Sequence, residues 1–75
     1  MQERTRVMKV IRLGKEIHCD ERHEYPEALI VTDGRMNLVV GGNAIAVNTG
    51  GMYVVPAGVE HTVAPGSAGT LVILD

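Results

Sequence analysis

Turn-forming residues interrupt this chain at short and regular intervals, and their spacing constrains the fold more than any other feature of the sequence. Glycines, prolines and an Asp-Gly pair separate apolar runs of strand length, with no interval long enough for a crossover helix. Eleven of the 75 residues are valine, a β-branched residue that favours strands. The sequence therefore predicts an all-β fold, a small antiparallel β-barrel of about eight short strands, formed by a single domain over residues 1–75. The predicted strands are Val7–Leu13, Lys15–Arg22, Ala28–Thr32, Met36–Val40, Ala44–Asn48, Met52–Val55, Thr62–Ala64 and Thr70–Leu74.

Alternation of apolar and polar side chains is clear in only some of these predicted strands. In Ala44–Asn48 the larger residues Ile45 and Val47 share one face, opposite two alanines and an asparagine. In the first predicted strand both faces carry a basic side chain, so its inward face stays open. Met52–Val55 is apolar on both sides, which suggests one face in the core and the other against a second subunit.

The size and charge of the chain limit its partners and its location. Seventy-five residues lie near the lower limit for a self-supporting core, and Cys19 is the only cysteine, so a disulfide within the chain is excluded. A bound metal and a homodimer are the remaining sources of stability. The net charge of −2 gives no general attraction to nucleic acid. A lone thiol, no apolar run of ~20 residues and a polar N-terminus predict a cytoplasmic protein without a membrane partner.

Two segments carry the residues that indicate chemistry. The first reads His-x3-Glu-x6-Gly from His23 to Gly34, and the second reads Gly-x5-Pro-x-Gly-x2-His from Gly50 to His61. Two imidazoles with one or two carboxylates are a suitable ligand set for a divalent first-row metal ion.

The alternation of side chains along a strand predicts which residues near His23 could reach the same site. Side chains two residues apart in an extended strand point to the same side, so Cys19, Glu21 and His23 should share one face. His18 should lie on the opposite face, away from the site.

Together the two segments resemble the characteristic motifs of the cupin superfamily, whose members are small jelly-roll β-barrels that often hold a divalent metal. The resemblance extends from Gly14 to the C-terminus. It implies that His23, Glu27 and His61 converge on one interior site, with Zn, Mn, Fe or Ni as the cofactor. The cupin pattern begins with His-x-His, and this sequence has Glu21 at the first histidine position. That departure leaves one imidazole fewer and favours harder ions.

The resemblance also implies candidate roles and activities. Glu21 is either a fourth metal ligand or a catalytic base, and Tyr25, which lies beside the predicted site, is the other candidate catalytic residue. The leading hypothesis is a metal-dependent oxygenase, isomerase, lyase or decarboxylase acting on a small organic acid or a sugar-like molecule. The alternatives are a non-catalytic module that senses or stores a metal or small ligand, and a metal-free isomerase using His23 with Tyr25. The side chains predicted to line the pocket are all aliphatic: Leu38, Val40, Ile45 and Val47.

Overall fold

The computed structural model describes residues 7–14 and 21–75, and in these two ranges every regular element is a strand. The six strands are β1 (Met8–Leu13), β2 (Glu27–Val40), β3 (Asn43–Asn48), β4 (Met52–Val55), β5 (His61–Val63) and β6 (Ala68–Leu74). All pairings are antiparallel, which confirms the predicted all-β antiparallel class. No helix in the described part of the chain is long and apolar enough to cross a membrane.

The predicted strand count needs one correction. Asp33-Gly34 was expected to be a turn between two strands, but β2 continues through both residues for a total of 14. Instead of a turn, the structure has a β-bulge between Val31 and Asp33, where the register of β2 with β6 shifts. The predicted strand Lys15–Arg22 lies almost wholly outside the described residues, as do His18 and Cys19.

Strand β2 is the centre of the sheet. On one side it pairs with β4 near its beginning and with β3 near its end. On the other side it pairs with β6 over its first half and with β5 over its last residues. Strand β1 pairs with β6 on the edge that faces away from β2. Among the described residues, the path from β1 through β6 and β2 to β3 does not close on itself.

β2 folds back on itself so that its two ends face each other. A straight strand of this length would separate its terminal Cα atoms by about 43 Å. Yet the carboxylate of Glu27, its first residue, lies 3.3 Å from the imidazole of His61, which pairs with Val40, its last residue. The two halves of β2 therefore belong to two facing layers. The first layer contains β1, β6, the first half of β2 and β4, and the second contains β5, the second half of β2 and β3.

The hydrophobic core fills the space between these layers, and both halves of β2 contribute buried side chains to it. Before the bulge the buried residues have odd numbers (Leu29 and Val31), and after it they have even numbers (Met36, Leu38 and Val40). The bulge shifts by one residue which side chains of β2 point inward. This shift lets both halves of the bent strand face the same core. The other buried apolar residues are Leu13, Val47, Val55 and Leu71.

A pair of glycines allows the close approach of strands at this fold. Gly34 in β2 pairs with Gly69 in β6, and both have positive φ angles, of 86° and 110°. A Cβ on Gly34 would meet the carbonyl oxygen of Ala68 at 2.0 Å, and a Cβ on Gly69 would meet that of Asp33 at 1.9 Å. Neither position has room for a side chain, so the bend of the two layers depends on both glycines.

Candidate metal centre

His61 enters the core as the first residue of β5. The Pro56–Gly58 turn precedes it, with Gly58 at a φ of 78° and the amide of Val59 donating to the Pro56 carbonyl at 3.3 Å. Pairing with the last residue of β2 points the imidazole inward, where its side chain is only 5% exposed. The turn and the strand together determine where this imidazole enters the core.

Glu21 and His23 reach the site because their segment is hydrogen-bonded to the His61 segment. Glu21 and His61 form an antiparallel bridge, with reciprocal backbone hydrogen bonds of 2.8 and 2.9 Å. The amide of Gly58 donates to the carbonyl of His23 at 2.7 Å. The intervening Arg22 pairs instead with exposed Glu60 at 3.6 Å. The side chains at 21 and 23 therefore reach the cluster, as strand parity predicts.

Glu27 completes the cluster from the beginning of β2. Its backbone pairs with Val55 of β4, and its side chain is 8% exposed. A buried carboxylate is costly unless partners compensate its charge. Both imidazoles supply such contacts: Nε2 of His23 lies 3.4 Å from one carboxylate oxygen, and Nε2 of His61 lies 3.3 Å from the other.

The exposure of Glu21 differs from that of the other three residues. One of its carboxylate oxygens lies 3.3 Å from Nε2 of His23 and 3.8 Å from Nε2 of His61. Its side chain is 58% exposed, whereas that of His23 is 26% exposed. The cluster is therefore closed on the side of Glu27 and His61 and open to solvent on the side of Glu21.

The spacing of the four donor atoms fits a metal ion. One ligand atom from each of Glu21, His23, Glu27 and His61 lies within 4.8 Å of all the others. With metal–ligand bonds of ~2.1 Å, neighbouring donors lie about 3.0–3.4 Å apart and opposite donors about 4.2 Å apart. The widest separation that this limit allows exceeds that of opposite donors by only about 0.6 Å, so a small inward movement would bring the donors to coordination distance. The alternative, a network of hydrogen bonds alone, is less complete, because each Nε2 faces both carboxylates but carries at most one proton.

A backbone carbonyl orients the His61 ring for this role. Nδ1 of His61 lies 3.4 Å from the carbonyl oxygen of Val59. A carbonyl can only accept, so a proton on Nδ1 donated to Val59 would leave the Nε2 lone pair of a neutral ring free to bind a metal ion. Sequence analysis missed this contact, and no side-chain type at position 59 could have indicated it.

Tyr25 lies against His23 on the more exposed side of the cluster. The two rings stack, with centroids 5.0 Å apart and an interplanar angle of 17°. The ring centroids of His23 and His61 are 5.6 Å apart. Tyr25 therefore limits the orientations that the His23 imidazole can adopt, and it lies beside the predicted site as expected.

The structure thus brings together all four residues that the sequence predicts as ligands. The aliphatic side chains predicted to line the pocket pack into the core or against it, and one of them, Val40, pairs with His61 of the cluster. The reason is geometric: their strands form the second layer, whose inward face meets the first layer. The residues concerned are Leu38, Val40, Ile45 and Val47.

Fold and site define a class of small all-β proteins with a His/Glu cluster between two antiparallel layers. Residues 10–75 match the family described as Cupin domain, and the chain therefore belongs to the cupin family. No curated protein matches the sequence significantly.

The solved structures similar to this chain include two examples with high TM-scores. One is a cupin-2 domain containing protein from Shewanella frigidimarina NCIMB 400, with a TM-score of 0.80, 25% identity, and coverage of 100% of this chain and 74% of that chain. The other is the Clostridium difficile EutQ protein, with a TM-score of 0.77, 16% identity, and coverage of 92% of this chain. This chain spans only 50% of the EutQ structure, and at that identity the likeness shows the fold alone.

Proposed function

We propose that this cupin binds one divalent transition metal, Zn, Mn, Fe or Ni, through His23, Glu27 and His61. Glu21 is the fourth ligand or a base beside the metal. The observation that carries this proposal is the convergence of four donor atoms within 4.8 Å of one another, from residues widely separated along the chain. Two imidazoles and two carboxylates also balance the charge of a divalent ion, and a mixed N/O set suits first-row metals.

We further propose that the site is catalytic and acts on a small organic acid or a sugar-like molecule. A bound divalent ion would polarise a carbonyl or enolate oxygen of such a substrate. His61 and Glu27, which are buried, would hold the site rigid, while Glu21 lies on the solvent-exposed side from which a substrate can approach. A carboxylate in that position can accept a proton from a bound substrate and return it to another atom. Tyr25 can donate a hydrogen bond from the same side.

The first experiment is elemental analysis of the protein purified without added metal, followed by analysis after loading with each candidate ion and gel filtration. We expect about one equivalent of a single divalent metal per chain. Metal content that stays near zero after loading with every candidate ion would contradict the metal site.

A second experiment separates an enzyme from a binding module. The metal-loaded protein is incubated with a panel of small organic acids and sugars, and both turnover and binding are measured. Turnover that requires the metal and disappears in Glu21→Gln supports catalysis. Ligand binding without turnover across the panel would assign the site to the non-catalytic alternative.

A further inference from the structure

One carboxylate lies on the side of the cluster that is open to solvent. Oε2 of Glu21 is 3.3 Å from Nε2 of His23 and 3.8 Å from Nε2 of His61. The side chain of Glu21 is exposed, whereas those of Glu27 and His61 are buried. A molecule that approaches the cluster from solvent therefore meets the Glu21 carboxylate, whether this group binds the metal or remains beside it.

The four side chains of the cluster would leave a bound divalent ion without net charge. Imidazole ligands are neutral, and the carboxylates of Glu21 and Glu27 carry one negative charge each, so together they balance the ion. With a single carboxylate the same ion would keep a positive charge, which attracts anions. The second carboxylate removes this attraction, and the position of Glu21 places its negative charge where a ligand must approach.

The basic side chains that the structure describes do not offset this negative charge. No lysine or arginine in residues 7–14 and 21–75 forms an ion pair with either carboxylate of the cluster. Arg22 pairs with exposed Glu60, and Arg35 lies at the bend of β2, where its Nε donates to Oδ1 of Asn37. Arginine is the usual partner of a ligand carboxylate or phosphate, and this part of the chain places none at the cluster.

The sequence that leads into the cluster is acidic as a whole. From Lys15 to Glu27 it has five acidic residues and two basic ones. One of the acidic residues, Glu24, is exposed between His23 and Tyr25. Negative charges near an open site repel anions and leave neutral molecules unaffected. An unpaired charge of this kind gives selectivity against one class of ligand without any new contact to the other.

We infer that the site takes a neutral molecule with two adjacent oxygen atoms, and that Glu21 excludes anions of the same shape. The inference rests on the proposed metal site and narrows its ligand from an organic acid or a sugar-like molecule to the sugar-like class. Four protein ligands leave two positions open on an octahedral ion, which two adjacent oxygens can fill. A hydroxyl group of such a molecule can donate a hydrogen bond to Glu21, whereas a carboxylate in the same position meets a like charge.

The test compares lactate with lactamide, two probes of the same size that differ in charge and that both have a hydroxyl oxygen next to a carbonyl oxygen. Isothermal titration calorimetry measures the binding of each probe to the metal-loaded protein, with the metal-free protein as the blank. We expect the wild type to bind lactamide at least as tightly as lactate. In Glu21→Gln the affinity for lactate relative to lactamide should rise about fivefold or more, because a negative charge ~4 Å from the ligand is removed.

The matched control is Glu24→Gln, which removes the same charge from an exposed neighbouring position. Its ratio of the two affinities should differ from that of the wild type by less than about twofold, because solvent and salt screen an exposed charge that does not contact the ligand. Glutamine has the shape of glutamate and Glu21 is exposed, so both variants should fold.

Metal content, measured before each titration, separates two kinds of failure. A protein that holds no metal would contradict the proposed function and, with it, this inference. A metal-loaded wild type that binds lactate more tightly than lactamide, or that binds neither probe at high millimolar concentration, would overturn this inference alone. The same conclusion would follow from a ratio of affinities that is unchanged in Glu21→Gln, or that changes as much in Glu24→Gln.

Discussion

Glu27 and His61 lie 3.3 Å apart, although β2 carries Glu27 at one end and pairs with His61 at the other. Their contact exists only because β2 folds into two layers. The same fold brings the Glu21–His23 segment alongside His61 through the bridge between Glu21 and His61. The His/Glu cluster and the fold of the sheet are therefore consequences of one geometry.

The first prediction concerns the buried half of the site. His61→Ala should lose most of the bound metal, because it removes a ligand that is both buried and oriented by the Val59 carbonyl. Removing a residue that only orients a metal ligand typically costs about 10–100-fold in metal affinity. Removing the ligand itself should cost at least as much. Metal stoichiometry after equilibrium dialysis is the measurement.

The matched control for His61→Ala is His18→Ala, since the chain has three histidines and strand parity predicts that His18 faces away from the site. This variant should keep the wild-type metal content. If His18→Ala strips the ion while His61→Ala retains it, the assignment of the site is wrong.

The second prediction concerns the exposed carboxylate. Glu21→Gln should lower metal affinity less than Glu27→Gln, because Glu21 is 58% exposed and an amide oxygen still coordinates weakly, whereas Glu27 is buried between both imidazoles. If Glu21 is the base, turnover should fall much further than metal content. Parallel measurement of metal content and turnover distinguishes a ligand from a base, and Glu24→Gln, at an exposed neighbouring position, is the control.

The third prediction concerns the ring that stacks on His23. Tyr25→Ala should weaken metal binding by about 2–10-fold, because an aromatic contact worth ~0.5–1.5 kcal/mol is lost from a ligand. Tyr25→Phe keeps the stack and should keep the affinity. A drop in turnover for Tyr25→Phe at full metal occupancy would show that the hydroxyl takes part in catalysis, and equal affinity in wild type and Tyr25→Ala would refute the stacking role.

The fourth prediction concerns the glycine pair at the fold of the sheet. Gly34→Ala should destabilise the protein by about 3 kcal/mol or more, because it combines a strained positive φ with a clash against the Ala68 backbone. Gly42→Ala is the matched control: its φ is +85°, but a Cβ there meets nothing within 4 Å, so only the backbone strain of ~1–2 kcal/mol remains. Denaturant unfolding of the metal-free variants measures both, and equal losses would refute the close-packing argument.

The fifth prediction is that metal contributes to folding stability. A ligand that binds only the folded chain at 100 times its dissociation constant stabilises it by ~2.7 kcal/mol. We therefore expect removal of the metal by a chelator to lower the melting temperature by several degrees, and re-addition to restore it. His61→Ala, which should hold little metal, should show a much smaller response to the chelator.

Much of this architecture could be predicted from local patterns. Turn residues and β-branched content indicate an all-β antiparallel fold, because such local preferences do not depend on the final packing. The alternation of Ile45 and Val47 likewise predicts the inward face of β3, where Val47 is buried and Ile45 packs against the core. The residues of the His/Glu cluster could be named from the resemblance of two segments to the cupin motifs, together with strand parity for Glu21. In the described residues, the turn expected at Asp33-Gly34 proved to be a bulge, because the same residues that form turns also allow a strand to bend.

The sequence by itself determined the fold class, the set of side chains that could bind metal and the parity that places Glu21 with His23. Only the tertiary structure decided how those side chains meet, since Glu27 and His61 approach each other through the bend at Gly34 and Gly69. It also decided the inward face of β1, where alternation was ambiguous: Leu13 is buried while Met8 and Val10 are exposed. The physical reason is that hydrogen-bonding register and layer packing join residues far apart in the chain. Local patterns specify which way a side chain points from its strand, but not what lies opposite it.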